Sequence, residues 1–282
     1  MRPLAGLLLT FWTGVAAAHP GWGIVVDKAD DVFYTDLEQV WKIGADGAKT
    51  IVVPDVHTHE LYLDPRGVLH GEHLWYDNKQ SKWGHYLWEL TDGRVVRHPP
   101  QEGFRTESFI RDPGGTRYSL DAGRVLKRPP GGGAVQEVVD TNTGPISPGQ
   151  APGGLLTLGE DGLLYLVQGG DLLRITTAGE ATVLATGLDE HVWTSFMTQP
   201  WHYVMGLTAD AGGNVYVANS GARKVKKVDR NGKVTEVLRA RFPWSPTGVT
   251  TKNGVLYVLE YTDTGGSVRV RTLTPDGRVR MR

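Results

Sequence analysis

Along the chain, short runs that alternate β-branched or aromatic residues with polar ones are interrupted at near-regular intervals by glycine, asparagine or aspartate turns. The plainest case is 206–238: Gly206 to Asp210, a Gly212-Gly213 turn, Asn214 to Asn219, Lys224 to Val228, an Asn231-Gly232 turn and Lys233 to Leu238. Two-residue periodicity bounded by turn residues predicts strands, and four such runs joined by tight turns predict a four-stranded antiparallel meander.

The unit recurs. Equivalent second strands end at Asp36, His73, Asp121, Gln168, Asn219 and Glu260, and glycine marks the last turn of each unit at 47, 93, 132, 179, 232 and 277, about 46 residues apart. Units this small cannot bury both faces alone, so they must stack on one another. The expected fold is all-β, a six-bladed β-propeller of four-stranded antiparallel blades. A seven-bladed ring is the runner-up, but no unclaimed stretch is long enough for a seventh blade. Blades 1 and 6 each have four candidate strands, so closure without an exchanged strand is expected. Over roughly 23–282 the chain resembles the NHL-repeat and senescence-marker-protein/gluconolactonase propellers. That resemblance implies a site at one mouth of the central channel, where the lactonase-like members hold a divalent metal with acidic and amide side chains. It does not choose between enzyme and interaction scaffold, because the fold hosts both.

Composition narrows the partners. Thirty Lys and Arg against 31 Asp and Glu give a net charge of −1, without the basic excess that nucleic-acid binding needs. The absence of cysteine excludes disulfides and leaves stability to packing. Met1-Arg2-Pro3, an apolar run from Leu4 to Val15 and Ala16-Ala17-Ala18 have the order of a cleavable secretory signal. We therefore expect a signal peptide at 1–18, a single propeller domain at 19–282 and a secreted or periplasmic protein. The apolar run, about 12 residues, is short of the ~20 that span a bilayer, so no membrane span is expected. Cleavage after Ala18 would expose His19, whose amine and imidazole together could chelate copper.

Labelling the strands of each blade a to d from the channel outward, every long connection falls on one face: 74–84, 141–153 and 189–202. Long loops gathered at one end of a rigid scaffold are the expected place for binding residues. Trp75, Trp83, Trp193 and Trp201 lie in these loops and would stack on a ring-shaped or sugar-like ligand, or else seal the loops to the ring. Trp41, Trp88 and Trp244 are assigned to blade packing.

At that mouth the b strands end in Asp36, His73, Asp121, Gln168, Asn219 and Glu260, and the a strands start at Trp22, His59, Glu107, Gly154, Met205 and Thr247. Counting across the a–b turns sets His59 opposite His73 and Glu107 opposite Asp121, with Cβ atoms about 4.5–5.5 Å apart. Two imidazoles beside two carboxylates suit zinc or iron better than calcium, although calcium stays among the candidates. His57 is a third nitrogen ligand or a support for one, and Asp36, Gln168, Asn219 and Glu260 complete the channel ring. Glu107 or Asp121 would serve as general base. Alternatively, these polar ends mark only a wet channel mouth. Glu60 and Glu72 form another opposed pair on the other side of blade 2, beside Tyr62 and His70. Anchoring by arginines of the neighbouring blade is favoured for them over a general acid and base. The chain has no nucleophile elbow, phosphate loop or His-Glu-x-x-His helix. The expectation is an exported metal-dependent hydrolase, lactonase-like, or a lyase acting on a small molecule. The competing reading is a non-catalytic propeller that binds a protein or glycan on the same face.

Overall fold

Tight turns join strands adjacent in sequence into antiparallel sheets, and six such sheets form the ring. The computed structural model describes residues 20–105, 108–143, 154–192, 202–263 and 266–282. The leader-like segment, His19, Glu107, Trp193 and Trp201 therefore lie outside the described residues. Blade 1 comprises β1 (Ile24–Val26), β2 (Val32–Thr35), β3 (Val40–Ile43) and β4 (Lys49–Val53). Blade 2 comprises β5 (Leu61–Leu63), β6 (Leu69–Asp77), β7 (Lys82–Thr91) and β8 (Arg94–Arg97), with β9 (Gln101–Glu102) added to β7. Blade 3 comprises β10 (Arg117–Asp121), β11 (Arg124–Arg128) and β12 (Gln136–Asp140). Its innermost segment meets β10 through an Arg111–Arg117 bridge and a 2.9 Å bond from the Tyr118 N–H to the Ile110 carbonyl. Blade 4 runs from β13 (Leu155–Leu158) to β16 (Ala181–Ala185), blade 5 from β17 (Val204–Ala209) to β20 (Val234–Arg239), and blade 6 from β21 (Trp244–Lys252) to β24 (Val279–Met281).

The six turn glycines all have positive φ, from +73° at Gly93 to +96° at Gly179. A Cβ is disfavoured in that region, which is why glycine punctuates each unit. Blades 1 and 6 both contain four strands of their own, and they close the ring through packed faces. Ile24 and Tyr34 meet Tyr257, Leu259 and Tyr261, and the Tyr261 hydroxyl donates to the Thr35 carbonyl at 2.7 Å.

Segment 74–84, expected as a connecting loop, is strand for most of its length. β6 and β7 pair continuously from Leu69–Leu90 to Asp77–Lys82, so Trp75, Tyr76 and Trp83 stand on an elongated hairpin. Gly84 makes this extension possible, because a Cβ there would lie 2.4 Å from the Trp75 ring.

Apolar clusters fill the interfaces 1/2, 3/4, 4/5, 5/6 and 6/1. Among the described residues no such cluster fills the interface between blades 2 and 3. Alternation in blade 2 turns Leu61, Leu69 and the fully buried Trp88 toward blade 1. The opposite parity, Tyr62 paired with His70 and next to Glu60 and Glu72, faces blade 3. There Arg111 lies over Tyr62 at 5.2 Å, and Phe109 stacks on Tyr62 at 6.5 Å.

Candidate functional site

At the mouth, blades 1 to 4 enclose a cavity of about 270 Å3 whose polar wall is His59, Glu60, Glu72, Arg105 and Ser108. Trp22, Phe104, Leu74, Ile110, Leu120, Leu155 and Leu156 supply the rest of its lining, together with Gly154. It shares Trp22, Glu60, Ile110, Leu155 and Leu156 with the central channel, a further cavity of about 230 Å3.

The site begins with an interruption of the β5–β6 ladder. β5 starts at Leu61, and the residues before it bond differently. The Glu72 carboxylate (Oε1) accepts the N–H of His59 at 2.7 Å and of Glu60 at 3.3 Å. The His59 carbonyl instead accepts the Trp22 N–H of blade 1 at 3.2 Å. A side chain thus takes the place of the neighbouring strand for two backbone donors, which keeps them satisfied while the chain bends at the mouth.

Arg105, in the segment entering blade 3, crosses the polar interface. Its Nη1 lies 3.3 Å from Glu60 Oε2 and 3.2 Å from Glu72 Oε2, and its guanidinium lies 3.7 Å above the Phe109 ring. The other Glu60 oxygen accepts the Ser108 hydroxyl at 2.7 Å and the Phe109 N–H at 3.3 Å. The two carboxyls then diverge electrostatically. Burial pushes Glu60 above the ordinary carboxylate range; Arg105 opposes this and the Glu72 charge adds to it. Burial would raise Glu72 as well, but the hydrogen bond with His59 and the Arg105 charge outweigh it and hold Glu72 below that range. One carboxyl is biased to carry a proton and its neighbour to be ionised, the arrangement that lets adjacent carboxyls take different roles in proton transfer.

The residues expected to form a metal site are placed as follows. His59 is buried at the cavity, 4.6 Å from the His57 ring and 5.4 Å from Trp22. His73 is on the blade 1 side of blade 2, stacked on Tyr86 at 4.9 Å, and its Nδ1 accepts the His57 N–H at 2.9 Å. Strand alternation decides this: Glu72 faces blade 3, so His73 faces away from it. Burial lowers both His57 and His73 from the ordinary imidazole value, with the charges of His59 and Arg97 respectively acting in the same direction. Asp121 is more than half exposed at the end of β10 and pairs with Arg124 at 3.2 Å. Among the described residues no three His, Asp or Glu side chains come together to hold a metal ion. The described part of the donor set therefore does not fit one centre, and no chemical step is assigned to a metal.

The expected channel ring points elsewhere. Asp36 accepts the Trp41 indole N–H at 2.6 Å and closes its own turn. Asn219 donates to the Leu188 carbonyl and accepts the Ala222 N–H at 2.6 Å. Gln168 accepts the Thr141 hydroxyl at 2.7 Å. Glu260, with no exposed surface, is clamped by Arg269 at 2.6 Å and by Arg271. All four serve inter-strand turns and blade interfaces. Of the described tryptophans expected to stack on a ligand, Trp75 packs with His73 and Tyr86, whereas Trp83 is exposed and contacts Tyr76 at 5.1 Å and Phe104 at 5.4 Å. Arg105, Ser108 and Phe104 were not singled out by sequence reading. The one available signal was the polar parity of blade 2, whose Glu60, Tyr62, His70 and Glu72 occupy a face that is apolar in a self-sufficient blade.

No protein-family model and no curated protein matches the chain. Solved structures do. Virginiamycin B lyase from Staphylococcus aureus superposes with a TM-score of 0.53 at 19% identity, covering 94% of this chain and 84% of the lyase. The gluconolactonase XC5397 from Xanthomonas campestris gives 0.58 at 13% identity, over 94% and 87% of the two chains. An auxiliary nutrient binding protein from Bacteroides ovatus gives 0.60 at 12% identity, over 94% and 70%. At these identities the likeness concerns the backbone. The chain has the fold of the NHL and senescence-marker-protein/gluconolactonase-like six-bladed β-propellers.

Proposed function

We propose that this propeller is an enzyme, a hydrolase or lyase, that processes a small molecule in the mouth cavity between blades 1 and 4. The observation that carries the reading is the pair Glu60 and Glu72, which share one arginine nitrogen and are pushed to opposite sides of the ordinary carboxylate range. Glu60 is the general acid or base, a role for which a carboxyl raised toward neutrality is suited. Glu72 stays ionised; it orients the His59 backbone and holds Arg105 in place. Arg105 stabilises negative charge developing on a carbonyl oxygen or leaving group, and Ser108 fixes the Glu60 carboxyl. The apolar Leu74, Ile110, Leu120 and Leu156 exclude water around the reacting group. Both candidate reaction classes, ring-opening hydrolysis and elimination, need such a proton-transfer group beside a site for negative charge. The gluconolactonase and lyase neighbours support this range of chemistry. The leader-like order of residues 1–18 supports placing the protein outside the cytoplasm.

The test is turnover of a panel of lactones, esters and eliminable conjugates by the wild type and Glu60→Gln, with urea midpoints recorded in parallel. Glu60→Gln should lose about 10²–10⁴-fold in kcat while staying folded. Unchanged turnover in that variant would remove Glu60 from the chemistry. A second reading, non-catalytic binding of a glycan or protein at this mouth, is favoured by the exposed aromatic group Tyr76, Trp83 and Phe104, exposed by 44%, 43% and 54%. Absence of turnover across the panel, combined with binding lost on Trp83→Ala, would favour it.

A further inference from the structure

The wall of the mouth cavity is divided in kind. Among the described residues, its hydrogen-bonding side chains form the one cluster contributed by blade 2 and the segment entering blade 3. Bonds within that cluster already occupy much of it. Arg105 reaches both carboxyls, and the Ser108 hydroxyl donates to Glu60 at 2.7 Å while accepting the Ile110 N–H at 3.3 Å. Such a cluster has a place for one polar group of a ligand, the group that reacts, and no array of partners for several hydroxyls. A hydroxyl that enters a site without regaining the hydrogen bonds it made with water opposes binding.

The rest of the described lining is apolar and partly open. Leu120 and Leu156 pack at the interface of blades 3 and 4 but remain only partly buried, as does Leu155 beside them. Phe104 lines the cavity while 54% exposed, and it meets Trp83 edge to face with ring centroids 5.4 Å apart. Trp83 in turn meets Tyr76 at 5.1 Å, so an aromatic strip runs from the cavity wall out along the β6–β7 hairpin. Large apolar side chains left open around a pocket gain when a ligand covers them with apolar surface.

Resting on the reading of this cavity as an enzyme site, we propose that its substrates carry a single polar reacting group on an apolar body, as aryl- or alkyl-substituted lactones and esters do, rather than the many hydroxyls of a sugar lactone. The reacting carbonyl sits at Glu60 and Arg105, the apolar body lies against Leu120, Leu156 and Phe104, and Phe104 is the residue that sets the preference.

Lactams test this without turnover, because their amide carbonyl stands in for a lactone carbonyl and resists hydrolysis. Isothermal titration calorimetry of the full chain compares a phenyl-substituted γ-lactam, the unsubstituted γ-lactam and the lactam of gluconic acid. The phenyl compound should bind about tenfold or more tighter than the other two. Phe104→Ala should weaken its binding about tenfold and that of the unsubstituted γ-lactam much less, because the lost contact is with the apolar body. Phe242→Ala removes a ring that is 72% exposed and outside the cavity lining, and it should leave the ranking as in the wild type. Tighter binding of the gluconic lactam, no binding of the phenyl compound, or wild-type affinity for it in Phe104→Ala would overturn the proposal. Failure of the enzyme reading looks different: the expected ranking of lactams without turnover of any lactone or ester would support the apolar ligand class and remove the chemistry.

Discussion

Arg105→Met removes a cation that the two mouth carboxyls share, and its effect follows from their surroundings. The arginine side chain is 11% exposed, Glu72 5% and Glu60 22%, so solvent screens these charges only weakly. Removing one partner of a buried ion pair costs about 3–5 kcal/mol, because the remaining charge is left uncompensated. Here two carboxylates would be left, but Glu60 is already biased toward its protonated form and can take up a proton. We therefore expect a loss of about 3–5 kcal/mol at pH 8, including the contact with Phe109, which is worth about 0.5–2 kcal/mol. The cost should shrink as the pH falls. In the variant both carboxyls have folded-state values higher than in the wild type, so protonation relieves the repulsion, and each proton taken up changes the difference by about 1.4 kcal/mol per pH unit. The cost falls to the packing contribution only below the depressed Glu72 value, where the wild type also loses its ion pair. Urea unfolding followed by tryptophan fluorescence at pH 8, 6 and 4.5 measures this. A loss under about 1 kcal/mol at pH 8, or one that does not vary with pH, would refute the reasoning. Arg105→Met in a Glu60→Gln background should cost less than in the wild type, by about 1–3 kcal/mol of coupling.

Two further outcomes follow from the same geometry. Gly71→Ala places a Cβ 2.1 Å from the ring of the fully buried Trp88, whose indole N–H donates to the Glu72 carbonyl at 3.0 Å; a loss of about 1–3 kcal/mol or more in urea unfolding is expected, and a neutral result would show that Trp88 can move. Burial holds His57, His70 and His73 below the ordinary imidazole value of 6.5, so their stabilising contribution is complete above that pH and is lost as the pH falls, when the unfolded chain takes up protons that the folded chain refuses. In a Glu60→Gln background, which removes the opposing contribution of that carboxyl, urea midpoints should drop between pH 7 and pH 5, and a flat profile would count against buried neutral imidazoles.

Much of the architecture was legible in residue order because it depends on local rules. Period-two alternation makes strands, glycine at positive φ makes the turn of each unit, and repetition every 46 residues or so makes a ring. The same alternation already showed blade 2 to be polar on one face, and the reading of Glu60 and Glu72 as anchored by an arginine of the next blade agrees with the Arg105 contacts. Alternation also put Glu60 and Glu72 on the side of blade 2 opposite His73, but which of the two sides meets blade 3 depends on how the sheets pack. Other features depended on how the blades meet. Asp36, Asn219 and Glu260 share strand-end positions with His73 in the repeat, yet each is satisfied by the indole, backbone or arginines nearest to it. The β5–β6 ladder breaks because a carboxylate takes the backbone donors of His59 and Glu60, and a repeat count cannot anticipate such a break. Arg105 reaches Glu60 from 45 residues away. Sequence determines periodicity because strand geometry is local, whereas tertiary structure decides which side chains meet in the cavity, because that depends on the packing between sheets and on where each ladder breaks.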